Sequence, residues 1–263
     1  MLATKFWGPM GDDPNQGGVS RRWIIAEVEN SLRRLGTDWI DLYQMHRPDP
    51  ETDVEETLGA LTDLVRQGKV RYIGSSSFSA GEIVEAQWTA RDRNLQRYRT
   101  EQPPYWLLVR GIELDVLPTA RRHGMGILTY SPLAGGWLSG SWTADSSPTS
   151  PVRQRLADRF DMSMAENQRK LEATKALAQV AEDAGLSLIE LAIAFVTNHP
   201  AVTSAIIGPR TMEQLESQLP GGDAALDAAT LDRIDEIVVP GVNLNPADTS
   251  YGEQVLQPAL RRR

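Results

Sequence analysis

Hydrophobic and polar positions alternate along this chain with two different periods. Short apolar runs bounded by turn residues, such as residues 40–46, predict strands, whereas apolar residues that recur at every third and fourth position predict helices. The first such helix is predicted from Arg21 to Leu35, after Ser20 as its N-cap and before Gly36 as its stop. Regular alternation of strands and helices is typical of a parallel sheet covered by helices.

The same pattern predicts six strands, which begin near residues 2, 40, 70, 98, 127 and 203. Helices are predicted over residues 21–35, 54–67, 80–90, 112–123, 166–184, 188–198 and 212–219, with a further helix outside the repeat at 225–238. Residues 134–162 have no clear period and predict a long loop. A closed barrel of this type has eight strands. We therefore predict an α/β fold, an incomplete (β/α)8 TIM barrel with about six of eight strands and an extra C-terminal helix, as a single domain over residues 1–263.

Composition narrows the functional class. The chain has 263 residues, 41% of them hydrophobic and 24% charged, as in ordinary globular proteins. Its net charge of −8 argues against nucleic acid or an anionic membrane as a partner. The absence of cysteine excludes disulfides and thiolate chemistry, and three histidines leave little room for a metal site. No apolar run approaches the length of a membrane span, so we expect a cytoplasmic enzyme.

Two reactive side chains end successive strands. Lys5 stands near the end of the run Ala-Thr-Lys-Phe, and His46 stands in Tyr-Gln-Met-His-Arg-Pro-Asp-Pro. A parallel barrel builds its active site from residues at the C-terminal ends of its strands. A solvated strand-end lysine and a hydrogen-bonded structural histidine are the alternative interpretations.

At these two strands the chain resembles the aldo-keto reductases, in particular bacterial members related to potassium-channel β-subunit-like reductases. The resemblance covers nearly the whole sequence and begins at what would be that family's third strand. It implies NADPH-dependent reduction of an aldehyde or ketone, a small-molecule carbonyl substrate, to an alcohol. By this resemblance Lys5 would lower the pKa of the catalytic tyrosine, and His46 would orient the substrate carbonyl.

The resemblance assigns further strand-end residues to the cofactor. Ser76 and Ser77 align with a Ser-Asn pair that binds the nicotinamide carboxamide, and Gln102 would bind the same group from the other side. The serine at the second position has a shorter reach than asparagine. Tyr130 would stack on the nicotinamide ring. The glycine-rich turn that follows, with Ser131, Leu133 and Gly135, would bring backbone N–H groups to the pyrophosphate.

The segment from Ile207 to Gln214 carries the most specific cofactor signal. It joins the last strand to a helix start, where anions are favoured, and Arg210 offers a planar fork suited to an adenosine 2′-phosphate. The resemblance adds Gly208, Gln214 and Ser217, although the position of Ser217 is more often acidic or an amide. A surface arginine at a helix start is the alternative. The arginine predicts NADPH rather than NADH.

The resemblance further predicts that the N-terminal two βα units, about 60 to 80 residues, are missing. They would carry the family's catalytic aspartate and tyrosine, so we expect impaired activity. An open barrel has two unpaired edges, which favour partners such as a second copy in a homo-oligomer. A truncated reading frame, or a GTG valine codon taken as the start, is the leading explanation for Met1. The alternative function is a non-catalytic NADP(H)-binding protein that acts through protein partners.

Overall fold

The computed structural model describes residues 1–143, 145 and 154–249. Within them, six parallel strands follow one another in the sheet in the order of the chain. Their bounds are Ala3–Phe6 (β1), Ile40–Met45 (β2), Val70–Ser76 (β3), Thr100–Gln102 (β4), Gly126–Tyr130 (β5) and Ser204–Ile206 (β6). Parallel neighbours in chain order are the pattern of a (β/α)8 barrel. The predicted fold class, an incomplete (β/α)8 barrel, is confirmed.

Helices follow the strands as predicted, with one departure. Their bounds are Arg21–Leu35 (α1), Val54–Arg66 (α2), Ala80–Asp92 (α3), Val116–Arg122 (α4), Ala165–Asp183 (α5), Leu188–Thr197 (α6), Met212–Gln218 (α7) and Ala228–Ile237 (α8). The predicted helix over 112–123 divides into a 3-10 turn, Gly111–Glu113, and α4. Pro118 lies in the first turn of α4 and has no N–H for a bond to the preceding turn, so the helix cannot extend backwards. No described helix is both long and apolar enough to span a bilayer.

The chain divides into two compact units. The first comprises Met1–Pro103 and Pro118–Ile127, and contains β1 to β4 with the start of β5. The second comprises Pro104–Leu117 and Leu128–Arg263, of which residues 144, 146–153 and 250–263 lie outside the described part. The predicted long loop falls in this second unit, where the described portions contain short 3-10 turns at Ala134–Ser139 and Ala157–Arg159.

In the first unit, local sequence signals set the helix ends. Ser20 accepts a hydrogen bond from the backbone N–H of Trp23 at 3.4 Å, and Gly36 ends α1 with φ 65°. Ser79 and Glu82 form a reciprocal capping box at the start of α3. Because the inner face of each helix is apolar, side chains such as Ile24 are fully buried against the strands.

The strands of this unit approach one another closely at Gly74. Gly74 pairs with Gln44 on one side and with Thr100 on the other. A Cβ atom at this position would lie 2.2 Å from Thr100 Oγ1, so no larger residue fits without displacement. This close approach aligns the C-terminal ends of β2, β3 and β4, where most of the unit's predicted site residues stand.

In the second unit, α6 is the most buried helix. It begins with a capping box between Ser187 and Glu190, and Leu191 and Ala194 are fully buried. Arg110 binds the end of α8: its guanidinium donates to Asp235 at 2.7 Å and to the carbonyl of Val238 at 2.6 Å. The predicted extra helix is α8, which Arg110 therefore joins to the segment 104–117.

Candidate active site

Lys5 and His46 stand at the same end of two adjacent strands. In the β1–β2 register, Lys5 pairs with Gln44, and the backbone N–H of His46 donates to the carbonyl of Phe6 at 3.1 Å. Side chains alternate between the faces of a strand, so His46, two residues beyond Gln44, shares a face with Lys5. The structure thus brings together the two predicted catalytic residues.

Burial and neighbouring charge disfavour protonation of both groups. Burial is the main cause that lowers the pKa of His46 to about 4, and the positive charges of Arg47 and Lys5 add to it. Burial also lowers the pKa of Lys5, again with a contribution from Arg47. At neutral pH His46 is therefore an uncharged imidazole, with one N–H able to donate to a carbonyl oxygen.

Arg47 is a neighbour of this pair whose contact the sequence did not indicate. Its guanidinium donates a hydrogen bond to Ser77 Oγ, at the end of β3. The ring of Trp7 lies edge-on to that of His46, at 6.2 Å between centroids. Trp7 has φ 126°, a conformation that costs free energy for a residue with a side chain. Strained backbone of this kind is common at functional sites.

The three residues predicted to bind the carboxamide are neighbours at the ends of β3 and β4. Ser76 Oγ donates to the carbonyl of Gln102 at 2.9 Å, and the backbone N–H of Ser77 donates to the same carbonyl at 3.3 Å. All three side chains are largely buried. Ser77 also has a positive φ, 59°, which places this strand end in a strained conformation.

Glu101, next to these residues, was not identified from the sequence. Its side chain is fully buried, Oε2 lies 2.5 Å from Ser75 Oγ, and Oε1 accepts from the backbone N–H of Phe78 at 3.1 Å. Burial raises the pKa of Glu101 to about 8, against the opposing effect of these hydrogen bonds. The only signal in the sequence was an acidic residue inside an otherwise buried strand.

In the second unit, a strained turn follows β5. Tyr130 ends the strand, pairs with Ile206 of β6 and forms a bridge with Pro104. Positive φ values then occur at Ser131 (61°), Ala134 (53°), Gly135 (65°) and Gly136 (111°). The carbonyl of Leu133 accepts from the N–H of Gly136 at 2.8 Å. A turn with several left-handed residues turns N–H groups to one side, which is a common anion-binding arrangement.

The predicted adenosine-binding residues lie around the start of α7. The side-chain oxygen of Gln214 accepts from the backbone N–H of Arg210 at 2.8 Å, and Ser217 Oγ donates to the carbonyl of Gln214 at 2.9 Å. Gly208 has open space around it. The guanidinium of Arg210 is exposed and makes no ion pair within the described residues. It is therefore available to an anionic ligand.

A buried ion pair in the same unit was also missed. Lys170 on α5 is fully buried, and its Nζ lies 3.0 Å from Asp248 Oδ1 and 2.8 Å from Oδ2. Nζ also donates to the carbonyl of Arg159 and lies 4.5 Å from the centroid of the Trp137 ring. This cluster fastens the end of the described chain to α5, through contacts of high sequence separation.

Comparison with known proteins is consistent with this arrangement. The profile of the "Aldo/keto reductase family" matches residues 1–239. Members of this family are oxidoreductases that act on small carbonyl compounds with a nicotinamide cofactor.

Individual relatives cover most of the chain. An "Uncharacterized oxidoreductase YrpG" of Bacillus subtilis (strain 168) is 39% identical over 242 residues, which are 90% of this chain and 71% of that protein. A "Probable voltage-gated potassium channel subunit beta" of Arabidopsis thaliana is 34% identical over 245 residues, 90% of this chain and 73% of its own length. "Protein tas" of Escherichia coli (strain K12) is 32% identical over 241 residues, 83% of this chain and 68% of that protein. From the profile match and these identities, the chain belongs to the aldo/keto reductase family.

Proposed function

We propose that this protein reduces aldehydes or ketones to alcohols with NADPH, and that residues 1–263 act as one reductase domain. The observation that carries the proposal is the pairing of Lys5 and His46 on one face of adjacent strand ends, with the pKa of both groups lowered. Two strand-end groups of this kind are suited to the reduction of a carbonyl, which needs a polarised oxygen and a source of a proton.

In the proposed mechanism His46 binds the substrate oxygen. Its imidazole is uncharged at neutral pH, and the one ring N–H of that form donates a hydrogen bond to the carbonyl oxygen. The ammonium of Lys5 stabilises the negative charge that develops on this oxygen and, by the family resemblance, lowers the pKa of the tyrosine that would protonate the resulting alkoxide. NADPH, when bound, supplies the hydride.

The end of β3 and the end of β4 are the proposed site for the nicotinamide carboxamide. Ser76 and Ser77 present hydroxyls, and Gln102 presents an amide that both donates and accepts. The hydrogen bonds that Ser76 and Ser77 donate to the Gln102 carbonyl join the two strand ends. These polar groups fit an amide ligand, which has a donor and an acceptor of its own.

The second unit provides the proposed contacts for the rest of the cofactor. Tyr130 stacks on the nicotinamide ring, and the turn with Ser131, Leu133 and Gly135 presents backbone N–H groups to the pyrophosphate. The turn fits such a group because its successive residues with positive φ direct backbone N–H groups to one side.

The start of α7 is the proposed site for the adenosine end. Gly208, Gln214 and Ser217 surround the base and ribose, and Arg210 binds the 2′-phosphate. Its exposed guanidinium, without an ion pair in the described part of the chain, fits a dianionic ligand. This contact is the basis of the proposed preference for NADPH.

Steady-state turnover tests the proposal. NADPH oxidation is followed with a panel of small aromatic aldehydes. It is measured for the 263-residue chain and for a longer chain that includes the residues encoded immediately upstream in the same reading frame. We expect turnover that falls about 10²- to 10⁴-fold in His46→Ala, the effect of removing a positioned acid–base group. Saturable NADPH binding without turnover in either form would support the non-catalytic, nucleotide-binding alternative instead.

A further inference from the structure

Glu101 occupies a position in β4 from which it contacts both ends of one short segment. Ser75 and Phe78 enclose the two serines, Ser76 and Ser77, that are proposed to bind the carboxamide. Oε2 of Glu101 lies 2.5 Å from the hydroxyl of Ser75, and Oε1 lies 3.1 Å from the N–H of Phe78. The following residue in β4 is Gln102, whose carbonyl accepts from Ser76 and Ser77.

The conformation held by these contacts is not one that the segment would adopt freely. Ser77 has φ 59°, a left-handed conformation that costs about 1 to 3 kcal/mol in a residue other than glycine. Such a conformation persists only when the surrounding structure imposes it. Glu101 supplies that constraint, because its carboxyl group binds Ser75 and Phe78, on either side of Ser77.

We propose that Glu101 is a positioning residue for cofactor binding, which holds Ser76, Ser77 and Gln102 in the geometry that the nicotinamide carboxamide requires. This inference rests on the proposed function. Glu101 is fully buried and its two oxygens are occupied by Ser75 and Phe78, so it acts through its neighbours rather than on the ligand.

The uncharged form of the carboxyl satisfies every polar group in this network. Oε1 accepts from the N–H of Phe78, the carboxyl O–H donates to Ser75 Oγ, and Ser75 Oγ is then free to donate to the carbonyl of Thr100, 3.4 Å away. If the carboxyl loses its proton, Ser75 must donate to Oε2 instead, and the carbonyl of Thr100 loses this partner. Ionisation therefore changes the contact between β3 and β4 next to the carboxamide site.

The surroundings favour the uncharged form up to mildly alkaline pH. Burial raises the pKa of Glu101 to about 8, and the negative charge of Glu82 on α3 acts in the same direction. Tyr98, just before β4, also interacts with Glu101. Burial is the main cause that raises the pKa of Tyr98, and the charge of Glu101 adds to it, so Tyr98 stays neutral. The positioning should accordingly weaken as the pH rises through about 8.

The test compares two ligands and three variants. NADPH carries the carboxamide, whereas 2′,5′-ADP carries only the adenosine end, and both are titrated at pH 7 and pH 9.5, above the second pKa of about 6 of a phosphate ester. Glu101→Gln reproduces the uncharged acid, since its amide donates to Ser75 and accepts from Phe78. Glu101→Ala removes both contacts. Thr100→Val is the matched control, because Thr100 Oγ1 is buried on the same strand and has no hydrogen-bond partner among the described residues.

We expect the wild type to bind NADPH about tenfold more weakly at pH 9.5 than at pH 7, the effect of one lost hydrogen bond. Glu101→Gln should match the wild type at pH 7 and lose this pH dependence, and Thr100→Val should retain it. Glu101→Ala should weaken NADPH binding at both pH values and leave 2′,5′-ADP binding unchanged.

Three results would overturn the inference. The first is a Glu101→Gln protein that keeps the pH dependence of the wild type, and the second is a wild type whose NADPH affinity does not change with pH. The third is an equal loss of both ligands in Glu101→Ala, which would show a purely structural role; if that variant does not fold, Glu101→Gln still decides the question. A folded wild type that binds neither ligand would overturn the proposed function as well, whereas pH-independent NADPH binding overturns the inference alone.

Discussion

Asp248→Ala should strongly lower the free energy of unfolding, because it removes one partner of a buried ion pair in the second unit. Asp248 lies next to Lys170 Nζ, at 3.0 Å from Oδ1 and 2.8 Å from Oδ2, and both side chains are almost completely buried. In Asp248→Ala the ammonium would keep the Arg159 carbonyl at 3.0 Å and the Trp137 ring, but no counter-charge among its described contacts.

The magnitude follows from the cost of an unpaired buried charge. Removing one partner of a buried ion pair costs about 3 to 5 kcal/mol of unfolding free energy. Burial is the largest influence on both groups: it lowers the pKa of Lys170 and raises the pKa of Asp248, in each case against the attraction of the partner. Desolvation therefore outweighs the attraction, and the double variant Lys170→Met/Asp248→Leu should be less destabilised than either Lys170→Met or Asp248→Leu alone.

Urea unfolding, followed by tryptophan fluorescence, measures these values as a double-mutant cycle. The control is Arg233→Ala, which breaks the exposed pair between Arg233 and Asp183 at 2.7 Å in the same unit and should have a much smaller effect. Additive effects of the two single substitutions, or an Asp248→Ala protein as stable as the wild type, would refute the reasoning.

Three further predictions concern the candidate site. Arg210→Ala should weaken NADPH binding about ten- to a hundredfold and leave NADH unchanged in fluorescence titrations, because a charge-assisted bond to the 2′-phosphate exists only with NADPH; equal losses would show that Arg210 merely supports its loop. Glu101→Gln should be more stable than the wild type above pH 4.5, because a raised carboxyl pKa destabilises the folded state increasingly from the ordinary pKa of 4.5 up to about 8, where the difference levels off. The difference in unfolding free energy between Glu101→Gln and the wild type should reach about 3 kcal/mol at pH 7, measured by urea unfolding. A difference that does not change with pH would contradict the raised pKa. The rate of carbonyl reduction should show no inflection from His46 between pH 5 and 8, because the pKa of this residue is about 4; an inflection near pH 6.5 that disappears in His46→Gln would contradict this assignment.

The parts of the fold that were predicted correctly depend on local signals. The caps at Ser20, Gly36 and Ser79 fix helix ends through bonds to residues three or four positions away, so they can be read from a short stretch of sequence. The strand ends that carry Lys5 and His46 follow from the same alternation. The helix predicted over 112–123 is confirmed over Val116–Arg122, whereas its first part is a separate 3-10 turn because Pro118 lacks the N–H that a continuous helix would need.

The features that the sequence did not indicate depend on contacts between distant residues. Glu101 is held by Ser75, 26 positions earlier, and Lys170 by Asp248, 78 positions later. Neither pair has a spacing that marks it, and a buried acid or lysine runs against the usual preference of these residues for solvent. The roles of the predicted site residues remain predictions, since they concern a ligand rather than the chain itself.

Cofactor binding is the central claim, and a fluorescence titration of the folded 263-residue protein with NADPH and with NADH tests it most directly. We predict saturable binding of NADPH, and binding of NADH that is about ten- to a hundredfold weaker because it lacks the contact of Arg210 with the 2′-phosphate. Saturable binding of neither nucleotide, by protein whose circular dichroism shows it to be folded, would contradict the account.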